Sequence, residues 1–203
     1  MSDLGHQIER LPGQVYRKGN LIVAPKPSDE MLAWAYMRLK REELLDRVFH
    51  EGCPSLTWCL EWFTQPNTAV LGCFKQVDGR AEMRGLGWLN SFTVLHGKSD
   101  WRKAELGEAF FRGVGMHETE QFGRLMLTWA FDELKMDVLF GSTPEPNRAA
   151  VLFARRMGFK MIGVADGYGL WNGEPCGCWI SVLTRQRFEE LNGEEARDGR
   201  SKA

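Results

Sequence analysis

The chain has 203 residues with a nearly balanced charge, 26 Lys and Arg against 27 Asp and Glu, which gives a net charge of −1. This balance provides no overall basic field to hold nucleic acid or an anionic membrane, and it disfavours both partners. No apolar run approaches the ~20 residues that a membrane-spanning helix needs. Five cysteines without a CxxC pair, and no secretory leader, predict a reduced protein in the cytoplasm.

The first half of the sequence predicts alternating strands and helices. Residues 1–17 are polar, and we expect the folded domain to span 18–192. The predicted elements are a strand at 21–24, a helix from 29 to about 50, a short helix after Ser55, and strands at 67–77 and 82–95. Ser28 and Ser55 can cap the two helices, and Asp78-Gly79 predicts a tight hairpin turn.

The second half predicts a strand, a helix and a final set of strands. The predicted elements are a strand at 104–112, a helix at 118–134, a strand at 138–140, a helix after Pro146, strands at 159–164 and 179–183, and a closing helix after Thr184. Residues 166–177 form a turn-rich excursion in this interpretation, and 193–203 a disordered tail. Cys176 and Cys178 lack a second Cys or His pair at metal-binding spacing, so we predict no metal site.

The segment 136–159 organises the rest of the chain. A short apolar strand, Val138-Leu139-Phe140, is followed by a loop that contains Pro144, Pro146 and Asn147. The helix after this loop has one apolar stripe, formed by Ala150, Phe153, Ala154 and Met157. Gly158 then ends the helix and Phe159 begins a new strand. Such a unit places a loop at the carboxyl end of a strand, where α/β folds bind ligands.

This unit resembles the second half of the cofactor site of the GCN5-related N-acetyltransferase (GNAT) superfamily. The matching signature positions are Asn147, Ala150, Phe153, Met157, Gly158 and Phe159. The order of predicted elements also follows the GNAT arrangement over about 18–190. The resemblance implies a single α/β domain with a mixed, mostly antiparallel sheet, flanked by helices, whose fourth and fifth strands splay apart. It also implies an N-acyltransferase that uses acetyl-CoA or another acyl-CoA.

In that fold the pantetheine arm of CoA lies in the gap between the splayed strands. By resemblance the backbone of Phe110, Phe111 and Arg112 would line the gap and could hold the thioester oxygen. The pyrophosphate would lie on a glycine-containing loop at the start of the next helix, where only Gly123 matches the motif. Glu118 and Glu120 add unfavourable negative charge there, which Arg112 and Arg124 could offset.

Two residues of the signature carry specific expectations. The amide of Asn147 would hydrogen-bond the arm of the cofactor, although it could equally satisfy the backbone of its own loop. Phe153 occupies the position at which many relatives carry a tyrosine that protonates the leaving thiolate. Because phenylalanine has no proton to give, the thiolate either leaves unaided or takes its proton elsewhere.

The attack requires a free amine and hence a base. Glu108, an acid inside an apolar strand, is the first candidate, followed by His117, Tyr168 and Ser142. The acceptor is an amine of unknown identity, and its site would be built from the first helices, Trp34, Trp58, Trp62 and the segment 85–90. Two other functions stay open, a GNAT-fold binding protein without catalysis and a nucleic-acid-modifying enzyme. A homodimer also stays open.

Overall fold

One nine-stranded sheet runs through the computed structural model, which describes residues 7–8, 15–49, 52–96 and 100–201. The strands are β1 (Gln7–Ile8), β2 (Tyr16–Lys18), β3 (Leu21–Pro25), β4 (Ala69–Val77), β5 (Arg80–Leu95), β6 (Trp101–Phe110), β7 (Val138–Pro144), β8 (Lys160–Trp171) and β9 (Glu174–Thr184). The helices are α1 (Asp29–Arg41), α2 (Leu45–Val48), α3 (Leu56–Phe63), α4 (Met116–Thr128), α5 (Arg148–Arg156) and α6 (Arg185–Ser201). A π-helical turn, Trp129–Glu133, extends α4.

The strand order is β2-β3-β4-β5-β6-β7-β9-β8, and β1 pairs with β5 beyond the end of β6. All pairs among the described strands are antiparallel except β6 with β7. The predicted fold class is therefore confirmed: a mixed, mostly antiparallel sheet flanked by helices.

Two hydrophobic cores lie on opposite faces of the sheet. The face covered by α1, α2 and α3 buries Leu39, Phe49, Phe63, Phe74 and Trp88 among others. The other face, covered by α4, its π-helical turn, α5 and α6, buries residues that include Phe122, Met126, Phe131, Leu139 and Phe188. The central strands β3, β4 and much of β5 therefore alternate between two buried layers rather than between core and solvent.

Both predicted serine caps are present. The Ser28 hydroxyl accepts a hydrogen bond from the Met31 backbone N–H at 3.3 Å, and Ser55 accepts one from Trp58 N–H at 3.1 Å. Each cap satisfies one of the first-turn N–H groups that have no partner inside the helix.

Several predicted boundaries were wrong. The single helix from 29 to about 50 is instead α1 and α2, because Glu43 takes a positive φ of 56° that no helix continues through; position 50 itself lies outside the described residues. The strand predicted at 104–112 begins at Trp101 and ends at Phe110. Its start was missed because charged residues interrupt the apolar pattern at 102 and 103.

The segment 166–177 is part of a β-hairpin and not an irregular excursion. β8 and β9 pair up to Trp171 and Glu174, and the turn consists of Asn172 and Gly173, both with positive φ. Asn-Gly is the preferred pair for a two-residue hairpin turn, so the sequence carried a signal that the prediction overlooked.

The chain termini also differ from the prediction. Described residues of the polar segment 1–17, which lies outside the predicted domain of 18–192, form β1 and most of β2, and these strands pair with β5 and β3. The expected disordered tail from 193 is instead a continuation of α6 to Ser201, and 202–203 lie outside the described residues. The residues from 194 to 198 (Glu, Glu, Ala, Arg and Asp) include strong helix formers, whose propensity outweighs their polar composition. Within the described ranges no helix is long and apolar enough to cross a membrane.

The close approach of α4 to α5 depends on Gly123. A Cβ at this position would lie 2.7 Å from the Met157 sulfur and 2.8 Å from Cζ of Phe153, closer than van der Waals contact allows. The two helices can therefore approach this closely because residue 123 has no side chain.

We predict that Gly123→Ala destabilises the protein by about 1–3 kcal/mol, the usual effect of overpacking a core. Gly163→Ala is the matched control, because a Cβ there meets no atom within 4 Å. Its effect should stay within about 0.5 kcal/mol. Urea unfolding of both variants measures the difference, and equal midpoints would contradict this account of α4 and α5.

Candidate active site

The strands β6 and β7 are paired over only three positions. Lys103, Ala104 and Glu105 lie opposite Val138, Leu139 and Phe140, and the pairing then stops although both strands continue. β6 stays paired with β5 as far as Phe110, and β7 stays paired with β9 as far as Pro144. The predicted splay is therefore present, and it opens a gap in the middle of the sheet.

A cavity of about 120 Å³ occupies this gap. Its lining comes from β5 (Trp88 and Asn90), from β6 between Glu105 and Glu108, and from β7 and the loop after it (Ser142, Thr143, Pro144 and Asn147). Arg47, Phe49, Trp58 and Trp62 line it from the α1–α3 side, and Ala150 of α5 lines it from the other face. The cavity therefore reaches both faces of the sheet.

The register of β6 determines which peptide groups face the gap. The Phe111 N–H donates to the Arg84 carbonyl of β5 at 3.0 Å. Every second residue from Phe111 back toward the start of β6 therefore also directs its N–H and C=O groups to β5. The peptide groups of Leu106, Glu108 and Phe110 therefore point the other way, past the last β6–β7 pair. They are the backbone donors and acceptors that the gap presents.

Phe111 and Arg112 do not line the gap as expected. Phe111 is buried on the α1–α3 face, where its ring meets Trp34 at 5.4 Å between centroids. Arg112 follows the end of β6, and its N–H and Nε donate to Glu42 at 2.6 and 3.1 Å. The prediction carried the strand two residues beyond its end at Phe110, and the N–H of Phe111 points to β5 rather than into the gap.

Glu108 lines the cavity from the face covered by α4. It lies opposite Gly87, whose own position is covered by Met126 of α4. Burial raises the pKa of Glu108 to about 7. Its carboxyl group can therefore exchange a proton near neutral pH, which the first candidate for the base requires.

Glu105 is a site residue that the sequence did not single out. It lines the cavity from the α1–α3 face, where it accepts a hydrogen bond from the Ser142 hydroxyl at 2.6 Å. The Asn90 side-chain amide donates to its other oxygen at 3.3 Å. Local sequence does not identify Glu105 as a site residue, because only the register of β6 shows that it reaches the same cavity as Glu108.

The first two turns of α4 contain two acids, Glu118 and Glu120, and both are neutralised by ion pairs. Glu118 contacts Lys75 at 2.8 Å and Arg84 at 2.9 Å, and Glu120 contacts Arg156 at 2.8 Å. Burial acts to raise the pKa of Glu118, but the hydrogen bonds and charges of Lys75 and Arg84 hold it below its usual value. The cations lie 43, 34 and 36 residues away along the chain, so sequence proximity could not reveal them.

The remaining predicted cofactor residues lie beside the cavity rather than on its wall. The Phe110 ring packs on Phe122 and Phe153, with centroids 5.9 and 6.1 Å apart. Gly123 lies in the middle of α4 against α5, so its backbone is not at the helix end where phosphates would dock. Arg124 follows it on the same helix.

Asn147 lines the cavity and also caps α5. Its side-chain oxygen accepts a hydrogen bond from the Ala150 N–H at 3.3 Å, which leaves the amide nitrogen as its donor. Asn147 can therefore cap α5 with its oxygen and still have an amide N–H available for a cofactor.

The weaker base candidates are spread over the molecule. Ser142 lies in the site as the partner of Glu105, whereas His117 contacts Gln121 at 2.6 Å on the exposed side of α4. Tyr168 lies on the exposed edge strand β8 with half of its surface accessible. No cluster of three or more potential metal ligands occurs among the described residues.

This fold is that of the GNAT acetyltransferases. The spermidine N-acetyltransferase from Vibrio cholerae, solved with CoA and spermine, superposes with a TM-score of 0.71 at 14% identity over 84% of this chain and 99% of that one. The ribosomal-protein-S5-alanine acetyltransferase from Vibrio fischeri gives 0.69 at 12% identity over 87% and 99%. A probable GNAT-family acetyltransferase from Chromobacterium violaceum gives 0.69 at 15% identity over 91% and 98%.

These similarities are structural. No protein-family model matches the sequence, and no curated protein matches it either. At such low identity the neighbours establish the fold and leave the activity to be argued from the site.

We predict that Glu108 makes the stability of the protein depend on pH. Its pKa rises from 4.5 to about 7 on folding, so the folded state retains a proton that the unfolded chain releases between these values. The free energy of unfolding should therefore fall as the pH rises from about 4.5 to about 7, by at most about 1.4 kcal/mol per pH unit.

Glu108→Gln should remove this pH dependence. The free energy of unfolding of the variant, relative to that of the wild type, should rise as the pH rises across that window and level off above it. Urea unfolding at pH 5, 6, 7 and 8 measures the effect. Glu174→Gln, at an exposed carboxylate in the β8–β9 hairpin, is the control and should follow the wild type. If the free energy of unfolding changes with pH in the same way for the wild type and Glu108→Gln, this carboxyl group is not desolvated.

Proposed function

We propose that this protein transfers an acyl group, most simply acetyl, from an acyl-CoA thioester to an amine. The observation that carries the proposal is the gap between β6 and β7, which opens into a cavity reaching both faces of the sheet. Two substrates can meet in such a gap without sharing one entrance. Structural neighbours with the same fold are acetyltransferases, and one was solved with CoA.

The backbone of β6 fits the arm of CoA. The peptide groups of Leu106, Glu108 and Phe110 face the gap and can pair with the amides of an extended arm as they would with another strand. The thioester supplies an acyl carbon that exchanges its C–S bond for a C–N bond, the sulfur leaving as a thiolate and the amine giving up one proton. A β6 N–H directed into the gap can stabilise the charge that develops on the acyl oxygen.

The N-terminus of α4 suits the phosphates of CoA. The helix starts after Gly113, which has a φ of 87°, and its N-cap Gly115 has no side chain to occupy the N–H groups of the first turn. Such groups and the helix dipole favour anions. Because Lys75, Arg84 and Arg156 neutralise the two glutamates, the negative charge seen in the sequence does not oppose this docking.

In this proposal Glu108 accepts the proton of the attacking amine, because its pKa of about 7 lets it be ionised and still basic at neutral pH. Asn147 donates its amide N–H to the arm while its oxygen caps α5. Phe153 packs against Phe110 and provides no acid, so the thiolate leaves without a proton from this position.

Acetyl-CoA binding is the first test of this function. A ligand that binds only the folded state at 100 times its Kd stabilises the protein by about 2.7 kcal/mol, which raises the Tm of a chain of this size by roughly 5–10 °C. We expect such a shift at millimolar acetyl-CoA. No shift would reject the transferase and favour a GNAT-fold protein without catalysis.

The proposed cofactor-binding role of Asn147 can be tested separately from its role as the N-cap of α5. Asn147→Asp keeps an oxygen for the Ala150 N–H but removes the amide donor, so we expect α5 to remain capped while acetyl-CoA binds roughly tenfold more weakly. Asn172→Asp in the β8–β9 turn is the matched control, since aspartate tolerates the positive φ of that position. Calorimetric titration measures both, and equal affinities would remove Asn147 from the cofactor site.

A further inference from the structure

The wall of the cavity on the α1–α3 face is aromatic. The rings of Phe49, Trp58, Trp62 and Trp88 line it. Phe49 and Trp88 stack with centroids 5.6 Å apart, Trp58 and Trp62 stack at 6.2 Å, and Trp62 meets Trp88 edge-on at 5.9 Å. Phe49 and Trp88 are buried as core residues are, whereas Trp58 and Trp62 keep part of their surface accessible. Core packing therefore explains the first pair fully and the second pair only in part, since Trp58 and Trp62 pack against the core but are half-buried.

The polar groups of this wall include two hydrogen-bond acceptors beside the aromatic rings. Glu105 presents a carboxylate, and Asn90 opposite it has a side-chain oxygen that is buried without a hydrogen-bond partner. The donor side of the Asn90 amide is already used by Ser91 at 3.2 Å and by Glu105 at 3.3 Å. An ammonium group has three donors and no acceptor, so it complements these atoms.

The charges along the cavity favour an ammonium group beside Glu105 and disfavour one beside Arg47. The charged side chains among its described lining residues are Arg47, Glu105 and Glu108. Arg47 is exposed, and its guanidinium lies 5.6 Å from the centre of the Trp171 ring. A second ammonium group at the Arg47 end of the cavity would therefore meet a cation.

Resting on the acyl transfer proposed above, we infer that the acceptor is an arylalkylamine-like molecule with one primary ammonium group. Glu105 and the Asn90 oxygen hold the ammonium, and the flat apolar group packs on Trp58, Trp62 and Trp88. The cavity of about 120 Å³ is similar in size to cavities of about 150 Å³ that accommodate a benzene ring. Aromatic faces beside the ammonium add a cation–π attraction.

The amine then moves toward the gap. Glu105 binds it on the α1–α3 face and Glu108 takes its proton at the other face, so the two acids of β6 divide binding and proton transfer. In this scheme Glu105 fixes which amines enter, and Glu108 sets how fast they react.

The test is a calorimetric titration of the whole protein with three small probes, with and without CoA. We expect 2-phenylethylamine to bind at least tenfold more tightly than spermidine, which has extra ammonium groups, and than 2-phenylethanol, which has no charge. Spermidine binding as tightly as 2-phenylethylamine would overturn the inference, and so would equal binding of the alcohol.

Variants assign the contacts. Glu105→Gln should weaken 2-phenylethylamine binding at least tenfold, and Trp62→Leu severalfold with recovery in Trp62→Phe. The controls are Glu174→Gln and Trp101→Leu, both at exposed positions outside the cavity lining, which should stay within twofold of the wild type. Unchanged binding in Glu105→Gln, with its Tm and CoA response intact, would overturn the assignment.

The two proposals fail in different ways. If CoA does not bind but 2-phenylethylamine does, the acyl transfer is rejected and the amine site stands. If acetyl-CoA binds and spermidine is acetylated faster than 2-phenylethylamine, the transfer stands and the inferred acceptor class is rejected.

Discussion

The three-residue contact between β6 and β7 is the constraint on which the rest of the site depends. Each strand is held along its outer edge by a longer antiparallel partner, β5 for β6 and β9 for β7. Closing the gap would require one of these ladders to shift. The splay is therefore built into the pairing of the whole sheet, and the β6 peptide groups of Leu106, Glu108 and Phe110 remain directed at the gap.

Because side chains alternate along a strand, one strand can supply both faces of the gap. Glu105 projects toward the aromatic wall and Glu108 toward α4, and the cavity joins them. The same alternation places Trp88 and Asn90 on the face of Glu105. A single-residue shift in register would exchange these groups between the faces, which is why the ends of β6 matter more here than those of any helix.

Much of the fold was readable from local signals. The unit 136–159, the caps at Ser28 and Ser55, and the turn at Asp78-Gly79 each depend on residues close together in the chain, and all are present. Fewer residues of the candidate site could be predicted from the sequence. Glu108 was selected as an acid in an apolar strand, but Glu105 and Asn90 are defined by pairing across strands. Phe111 and Arg112 were misplaced because strand ends are set by neighbours rather than by composition.

The sequence alone determined the order of the elements, the loop and helix that carry Asn147, and the presence of an acid within β6, because helix caps, turns and apolar periodicity act over a few residues. The tertiary structure decided where the strands part, which acids share a cavity, and that Lys75 and Arg84 neutralise Glu118. The ion pairs of Glu118 join residues 34 and 43 positions apart, and the β6–β7 contact joins two strands separated by α4. The energies of these interactions depend on the distance between the groups and on their burial, and neither can be read from their separation along the chain.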